Sequence, residues 1–446
     1  MKLYSENENY KLYQGNMLDM LEVIESNTID SIVTDPPYEL NFMNKGWDNA
    51  GVSFNADTWK KCYTALKPGG YLLAFGGSRT YHRIACAIED AGFEIRDTIM
   101  WLYGSGFPKS MNIGLAIDKK NGVDNRTGNI VKGVGSNNTN SMKNGLGESQ
   151  EFASEYEERI AQNEWQGWGT ALKPSFEPII VARKPFKGSL VDNVIEYGVG
   201  GINIDECRVE SNGEKLTRDL YDNPSWKNSS KAGQGSINDI ADKLGRFPAN
   251  TILTYDDTDF NEVCGGFPNT KSQIGARGGQ GFYNCLGRPN KERKDGDNLS
   301  GFNDSGSASR YFYCAKASKK DRDEGLDNFE EISGGTYQFR QDGSLDGEIP
   351  TRKNTHPTVK PTDLMQYLVR LVTPNDGIIL DPFNGSGSTG KAVMYENKER
   401  NKNYKYIGVE LTEEYLPIAK ARIEYVYNLQ EETTNSDNQL TIYDLD

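Results

Sequence analysis

The sequence predicts an α/β protein whose mainly parallel sheet carries helices on both faces and is assembled from both ends of the chain. Three observations lead there. Short β-rich runs alternate with helical apolar spacing from Leu12 to Trp101, and the same alternation returns after His356. The long stretch between them is dominated by Gly, Asn, Asp and Ser. Strands that alternate with helices build parallel sheets, and neither end carries enough strands to make a full sheet alone.

The elements follow in order. LYQGN reads as a short strand and turn, MLDMLEVI as a helix, and SIVTD as a strand halted by Pro36-Pro37, which can continue neither a ladder nor a helix. Asp57 to Ala65 reads as a helix stopped by Lys67-Pro68-Gly69-Gly70. YLLAFGG is a buried strand, and Tyr81 to Ala91 a helix ended by Gly92. Thr98 to Trp101 and Glu177 to Ala182 are further strands. After Tyr103 the texture loosens, and from about Lys187 to Arg352 short apolar pieces such as TILTY and YFYCA interrupt a polar background. Recurring Tyr, Phe and Trp favour a packed, irregular insert over a disordered linker. Thr362 to Leu371 is then a helix, GIILD a buried strand, Thr389 to about Glu396 a helix, KYIGVEL a strand, and Glu413 to about Tyr427 a helix. The acidic end is expected to fray.

Composition sets the limits. A chain of 446 residues allows two or three domains at ~100–200 residues each. A net charge of −14 runs against nucleic-acid binding. An acidic body can still carry a basic cleft. Basic runs occur at Lys109 with Lys119-Lys120, at Arg183-Lys184 with Lys187, and from Arg288 to Lys294; each can equally be a solvated face. The polar N-terminus, MKLYSENENY, is not expected to be a signal peptide, and no apolar run is long enough to span a membrane. Six Cys without C-x-x-C spacing and only two His argue for reduced thiols in a cytoplasm and against a metal site.

Two motifs carry chemistry. Gly385-Ser386-Gly387-Ser388-Thr389-Gly390 fits G-x-G-x-x-G between a strand and a helix, and Glu410 ends the next strand. That is the dinucleotide fingerprint, and a nicotinamide oxidoreductase is one reading of it. The physics is more general. Glycines admit close backbone approach, and an acid at the next strand end holds ribose hydroxyls, so any adenosine cofactor can use the turn. Asp381 before the turn would repel a pyrophosphate but hold an ammonium. Ser386, Ser388 and Thr389 suit a compact polar ligand. The second motif, Asp35-Pro36-Pro37-Tyr38, is a rigid turn with a carboxylate, carbonyl oxygens and an aromatic ring, which makes an acceptor-rich pocket for an amino group.

Through these residues the chain resembles the amino-methyltransferases that modify adenine or cytosine in DNA. That family combines D/N/S-P-P-Y/F with D-P-F-x-G-S-G, matched here by Asp35 to Tyr38 and by Asp381-Pro382-Phe383 through Gly390. His356-Pro-Thr358-Val-Lys360-Pro361 matches its H-P-T-x-K-P segment, and the strand ending at Glu410 its ribose-binding strand. Asn16 stands where the family often has Asp against the cofactor adenine. The order of motifs matches the permuted beta group. The resemblance implies a Rossmann-like methyltransferase fold, circularly permuted, with a mixed, mostly parallel sheet and an irregular inserted recognition domain.

By the same resemblance the cofactor is S-adenosyl-L-methionine, held by Asn16, Asp35, Thr358, Lys360, Pro361, Asp381, Pro382, Phe383, Gly385, Ser386, Gly387, Ser388, Thr389 and Glu410. Asp35, Pro36, Pro37 and Tyr38 are the expected catalytic residues. Residues 1–186 form the catalytic half, with a flexible loop at about 104–170; 187–352 the target-recognition insert; 353–430 the cofactor half; and 431–446 an acidic tail. The expected partner is double-stranded DNA, touched by Arg277, Arg288, Lys291 and Arg293. A homodimer and a cognate nuclease encoded elsewhere fit the resemblance. Asp at the first motif position favours adenine over cytosine. A catalytically idle DNA-binding protein and an RNA substrate are the remaining alternatives, and the intact Asp35 motif and the large insert respectively speak against them.

Overall fold

The computed structural model describes residues 1–40, 51–104, 110–134, 153–210, 244–256, 267–271, 275–276, 299–300, 305–317, 319–333 and 351–443. Its centre is a sheet of ten strands: β1 (Lys2–Glu6), β2 (Tyr10–Gln14), β3 (Ile29–Thr34), β4 (Leu66–Phe75), β5 (Glu94–Leu102), β6 (Phe176–Arg183), β7 (Thr251–Asp256), β8 (Tyr313–Ala317), β9 (Ile378–Asp381) and β10 (Lys405–Glu410). Their spatial order is β1-β2-β10-β9-β3-β4-β6-β5-β7-β8. The sheet is mixed and mostly parallel: β1 runs antiparallel to β2, β6 runs antiparallel to both β4 and β5, and the other pairs are parallel.

The two chain ends interleave. Strand β9 pairs with β3 through Ile379 opposite Ser31, and β10 pairs with β2 through Val409 opposite Tyr13. One sheet is therefore built from residues more than 340 positions apart, as the split α/β pattern required. Strands β3, β9 and β4 are buried along most of their length, which suits a sheet covered on both faces.

Helices supply those covers. On one face lie α1 (Ala56–Ala65) and α2 (Tyr81–Asp90), burying Trp59, Cys62, Ile84 and Ile88 with Ile32, Leu72 and Leu380. On the other lie α6 (Thr362–Val372), α7 (Ser388–Arg400) and α8 (Leu416–Tyr443), burying Leu364, Leu368, Val393 and Ile423 against Leu12, Val33 and Ile379. Among the described residues the other α-helices are α3 (Ile113–Asn121), α4 (Leu190–Tyr197) and α5 (Lys319–Asp323). Caps fit their sequences. Asn55, Asn112 and Ser189 accept from backbone amides at the starts of α1, α3 and α4, while α3 and α4 end on Gly122 and Gly198 in the left-handed conformation.

Several expectations change. MLDMLEVI forms a short 3-10 helix, Met17–Glu22, because Asn16 caps a single tight turn that buries Met17 and Met20. The loop at about 104–170 holds α3 and a hairpin of Arg126–Val134 with Ala153–Arg159. The 187–352 segment is not separate from the core. Its β7 and β8 extend the main sheet, since TILTY and YFYCA bury Ile252, Leu253 and Ala315 there. The acidic end continues helical to Tyr443, because adding residues to a packed helix costs far less than starting one. Of the basic runs, Arg183 pairs with Glu94, and Lys184 is buried. Its ammonium donates to Asn27 Oδ1 and to the carbonyls of Tyr63 and Leu66, and burial pulls it down to about 8. Lys184 is thus a structural cation.

Buried ion pairs lock the helices. Arg370 of α6 donates twice to Glu396 of α7, whose carboxylate is fully buried. Removing one partner strands the other charge away from water. Glu396→Ala should therefore lower unfolding free energy by about 3–5 kcal/mol in chemical denaturation, far beyond the ~0–1 kcal/mol of a surface pair.

Candidate active site

Parallel strands that end together leave a crevice at their carboxyl edge, where open α/β sheets take ligands. Here β3, β9 and β10 are neighbours, and Asp35, Asp381 and Glu410 stand at their ends. They face one cavity of about 370 Å³. The antiparallel β6 enters the sheet at the same edge, so its second residue, Glu177, joins them.

At one side stands Asp35-Pro36-Pro37-Tyr38. Tyr38 hydroxyl lies 2.9 Å from Asp35 Oδ1 and 2.8 Å from Glu177 Oε2. Lys360 Nζ donates to Asp35 Oδ2 at 2.6 Å, lies 3.4 Å from Glu177, and sits 4.9 Å from the centre of the Phe75 ring. Burial alone would lower the Lys360 ammonium, but the Asp35 and Glu177 carboxylates outweigh it and hold it above its ordinary range. Burial and the same two carboxylates push the Tyr38 phenol well up. Ser53 hydroxyl donates to the Pro37 carbonyl at 2.6 Å, fixing the turn from outside. Gly77 leaves room for the Tyr38 ring: a side chain there would start 3.1 Å from it.

At the other side stands the glycine turn. Asp381 accepts from Thr34 and Thr389 hydroxyls, both at 2.6 Å, and from Phe383 N at 3.1 Å. Burial nevertheless pushes its carboxyl up to about 6. Glu410 accepts from Gly385 N and Thr412 N, both at 2.7 Å, and burial raises it too. His356 ring packs where a Gly385 side chain would be, and burial pulls the imidazole down to about 4, so it stays neutral.

Of the residues expected here, Asn16, Asp35, Pro36, Pro37, Tyr38, Thr358, Lys360, Asp381, Pro382, Phe383, Gly385, Ser386, Ser388, Thr389 and Glu410 line this cavity. Two do not. Pro361 caps α6, and Gly387 faces away, its φ of +74° starting α7 against Ala419. The turn hydroxyls are also engaged: Thr389 serves Asp381, and the buried Arg422 guanidinium donates to Ser386 and Ser388. Asn16 Oδ1 is occupied as a cap by Leu18 N. Arg277, Arg288, Lys291 and Arg293 lie outside the described residues.

Sequence reasoning missed Glu177, Arg422 and Asp321. Glu177 reads as the first residue of a plain strand, and only antiparallel entry brings it to the edge. Asp321 of α5 accepts from Lys391 Nζ and from Thr362 at the start of α6, an arrangement no local motif announces. His356 and Asn384 were visible inside their motifs and also line the cavity.

The cavity thus sets the acceptor-rich Asp35 to Tyr38 turn beside a glycine turn of the dinucleotide-fingerprint type. The family model described as "DNA methylase", for N6 and N4 modification, matches residues 29–421. The chain belongs to that family. It is 20% identical to the type II methyltransferase M.HindIII of Haemophilus influenzae over 234 residues, 43% of this chain and 64% of the relative. It is 31% identical to the DNA adenine methyltransferase YhdJ of Escherichia coli over 98 residues, 22% of this chain and 30% of the relative. The chain thus spans less than two thirds of the length of either relative. The PvuII DNA methyltransferase structure, titled cytosine-N4-specific, aligns at 13% identity and a TM-score of 0.40, covering 97% of this chain and 96% of its own. Among the described residues no helix is long and apolar enough to cross a membrane, and no group of His, Cys, Asp and Glu could hold a metal.

The turn gives a direct test. A Gly387 Cβ would come 2.9 Å from Ala419 Cα on α8, in a left-handed conformation that alone costs a side chain ~1–2 kcal/mol. Gly387→Ala should cost at least that much in urea unfolding. An unchanged midpoint would contradict the packing described.

Proposed function

We propose that the protein is a site-specific DNA methyltransferase acting on the exocyclic amine of adenine in double-stranded DNA, with S-adenosyl-L-methionine as methyl donor. The observation that carries this is a single cavity: the Asp35 to Tyr38 recess and the Asp381 to Glu410 turn line one space. Membership of the N6/N4 family supports it. Asp in the first motif position and the match to an adenine methyltransferase favour adenine.

The residues fit the cofactor. Glu410, fixed by two backbone amides, presents a carboxylate edge for ribose hydroxyls. Asp381, buried and anionic at neutral pH, suits an ammonium group, and the turn around Gly385 admits a ligand closely. When bound, the cofactor supplies an electrophilic methyl group on a sulfonium.

The protein's part is binding and orientation. An exocyclic amine is a poor nucleophile because its lone pair is delocalised into the ring. Asp35 and the Pro36 carbonyl accept its two hydrogens and turn the lone pair outward, while acceptors already in place stabilise the positive charge that develops. Holding amine and methyl in line supplies much of the rate. The base must leave the duplex to reach this recess, and Tyr38 is a surface for it to stack on. Lys360 pairs with Asp35 and so holds its carboxylate in a fixed position. The 187–352 segment is the natural place for target reading, with Arg277, Arg288, Lys291 and Arg293 as phosphate contacts.

Incubation with unmethylated DNA and labelled cofactor, followed by nucleoside analysis, should yield N6-methyladenine. N4-methylcytosine would transfer the same mechanism to the other base, and no transfer would overturn it. Cofactor affinity should also depend on pH through Asp381. Burial favours its neutral form, so the carboxylate is lost as pH falls through about 6. Below that point binding of an ammonium-bearing ligand should weaken by up to ~10-fold per pH unit. Glu410 titrates upward as well, so Asp381→Asn is the control: it should bind weakly and lose this dependence. Calorimetry at several pH values decides it, and a flat wild-type profile would contradict the role.

A further inference from the structure

Methylation of a neutral amine produces one proton. When the new N–C bond forms, nitrogen carries a positive charge, and the electron pair of one N–H bond must stay behind as its proton departs. Asp35 is the acceptor within reach, but it lies in a recess whose cation cannot take the proton onward. Lys360 is already an ammonium. His356 is held down by burial, and its Nδ1 meets the Thr358 carbonyl.

The remaining neighbours form a string. Tyr38 hydroxyl lies 2.9 Å from Asp35 and 2.8 Å from Glu177, and Tyr103 hydroxyl lies 3.4 Å from the other Glu177 oxygen. A phenol has one hydrogen and donates one full hydrogen bond. With both carboxylates ionised, one of Tyr38's two short contacts lacks a centred hydrogen. Both contacts become complete hydrogen bonds only when one carboxyl carries a proton, donating to the phenol oxygen while the phenol donates to the other. Two carboxylates and one ammonium also leave the cluster one negative charge in excess, which a single proton cancels.

We propose that Asp35, Tyr38 and Glu177 form a proton relay that takes up the proton released by methyl transfer. This deepens the methyltransferase reading and rests on it. The proton passes from the methylated nitrogen to Asp35. Tyr38 receives it on its oxygen while giving its own hydrogen to Glu177. Glu177, whose side chain is 20% exposed, releases it to water. Once Glu177 is ionised again, the Tyr38 hydroxyl turns its new hydrogen from Asp35 towards Glu177, which restores the starting state, and one proton leaves for each methyl transferred.

The test uses Glu177→Gln, Glu177→Ala and DNA that the wild type methylates. Capture of the base is read first, without cofactor, from the fluorescence of 2-aminopurine at the target position, and both variants should match the wild type. Single-turnover methyl transfer should then fall about 100-fold in each, the lower range for a lost proton acceptor. Added formate should restore transfer in Glu177→Ala, where it can occupy the vacated carboxylate position, and not in Glu177→Gln. A role in packing alone would not respond to formate. Wild-type rates in Glu177→Gln, or no formate response in Glu177→Ala, would overturn the relay. Absence of transfer by the wild type on any DNA would instead overturn the function on which it rests.

Discussion

The whole site hangs on the seating of β9 between β3 and β10. A four-residue strand from the C-terminal part of the chain pairs in parallel with β3 of the N-terminal part on one side and with β10 of its own part on the other. Side chains on a strand alternate between faces, so slipping this register by one residue would turn Asp381 away from Thr34 and Thr389. Because the three strands run the same way and end together, three carboxylates from distant positions meet at one edge. Asp30 reinforces the seating from the other end, accepting from Ile378 N at 2.8 Å and from Lys67 at 2.6 Å. Ser31 hydroxyl meets that of Thr373, just before β9.

Concentrating acids at one edge of a protein of net charge −14 has an electrostatic cost, and local cations offset it. Lys360 lies between Asp35 and Glu177. Lys391 and Arg422, both fully buried, meet Asp321 beneath the glycine turn. Through Asp321 the end of the 187–352 segment is tied to the starts of α6 and α7 and to α8. Asp321 therefore ties this described stretch of the chain to the helices that flank the glycine turn.

Much of this was legible in the residues. Pro36-Pro37 could only be a rigid turn, the spacing from Gly385 to Glu410 required a strand–turn–helix–strand unit, and the halved α/β pattern required one sheet from two ends. What local spacing could not carry was non-local pairing. Glu177 matters because β6 runs against its neighbours, and antiparallel direction leaves no mark on a short apolar strand. TILTY and YFYCA looked like fragments because their partners lie in other segments. The hydroxyls of Ser386, Ser388 and Thr389 looked free for a ligand, whereas Arg422 and Asp381 occupy them; their partners sit 34 to 36 residues away for the serines and 8 for the threonine. The lysine beside Arg183 read equally as part of a basic cleft or of a solvated face, but it is buried and donates to three oxygen acceptors.

The proposed function divides the labour within one cavity: Asp35 serves the amine, and Asp381 with Glu410 serves the cofactor. Asp35→Ala tests it most directly, with cofactor binding and single-turnover methyl transfer measured on the same preparation. The account requires transfer to fall by at least about 100-fold, as expected for a lost transition-state acceptor, with cofactor affinity largely retained. Transfer near the wild-type rate, or loss of cofactor binding in step with transfer, would contradict it.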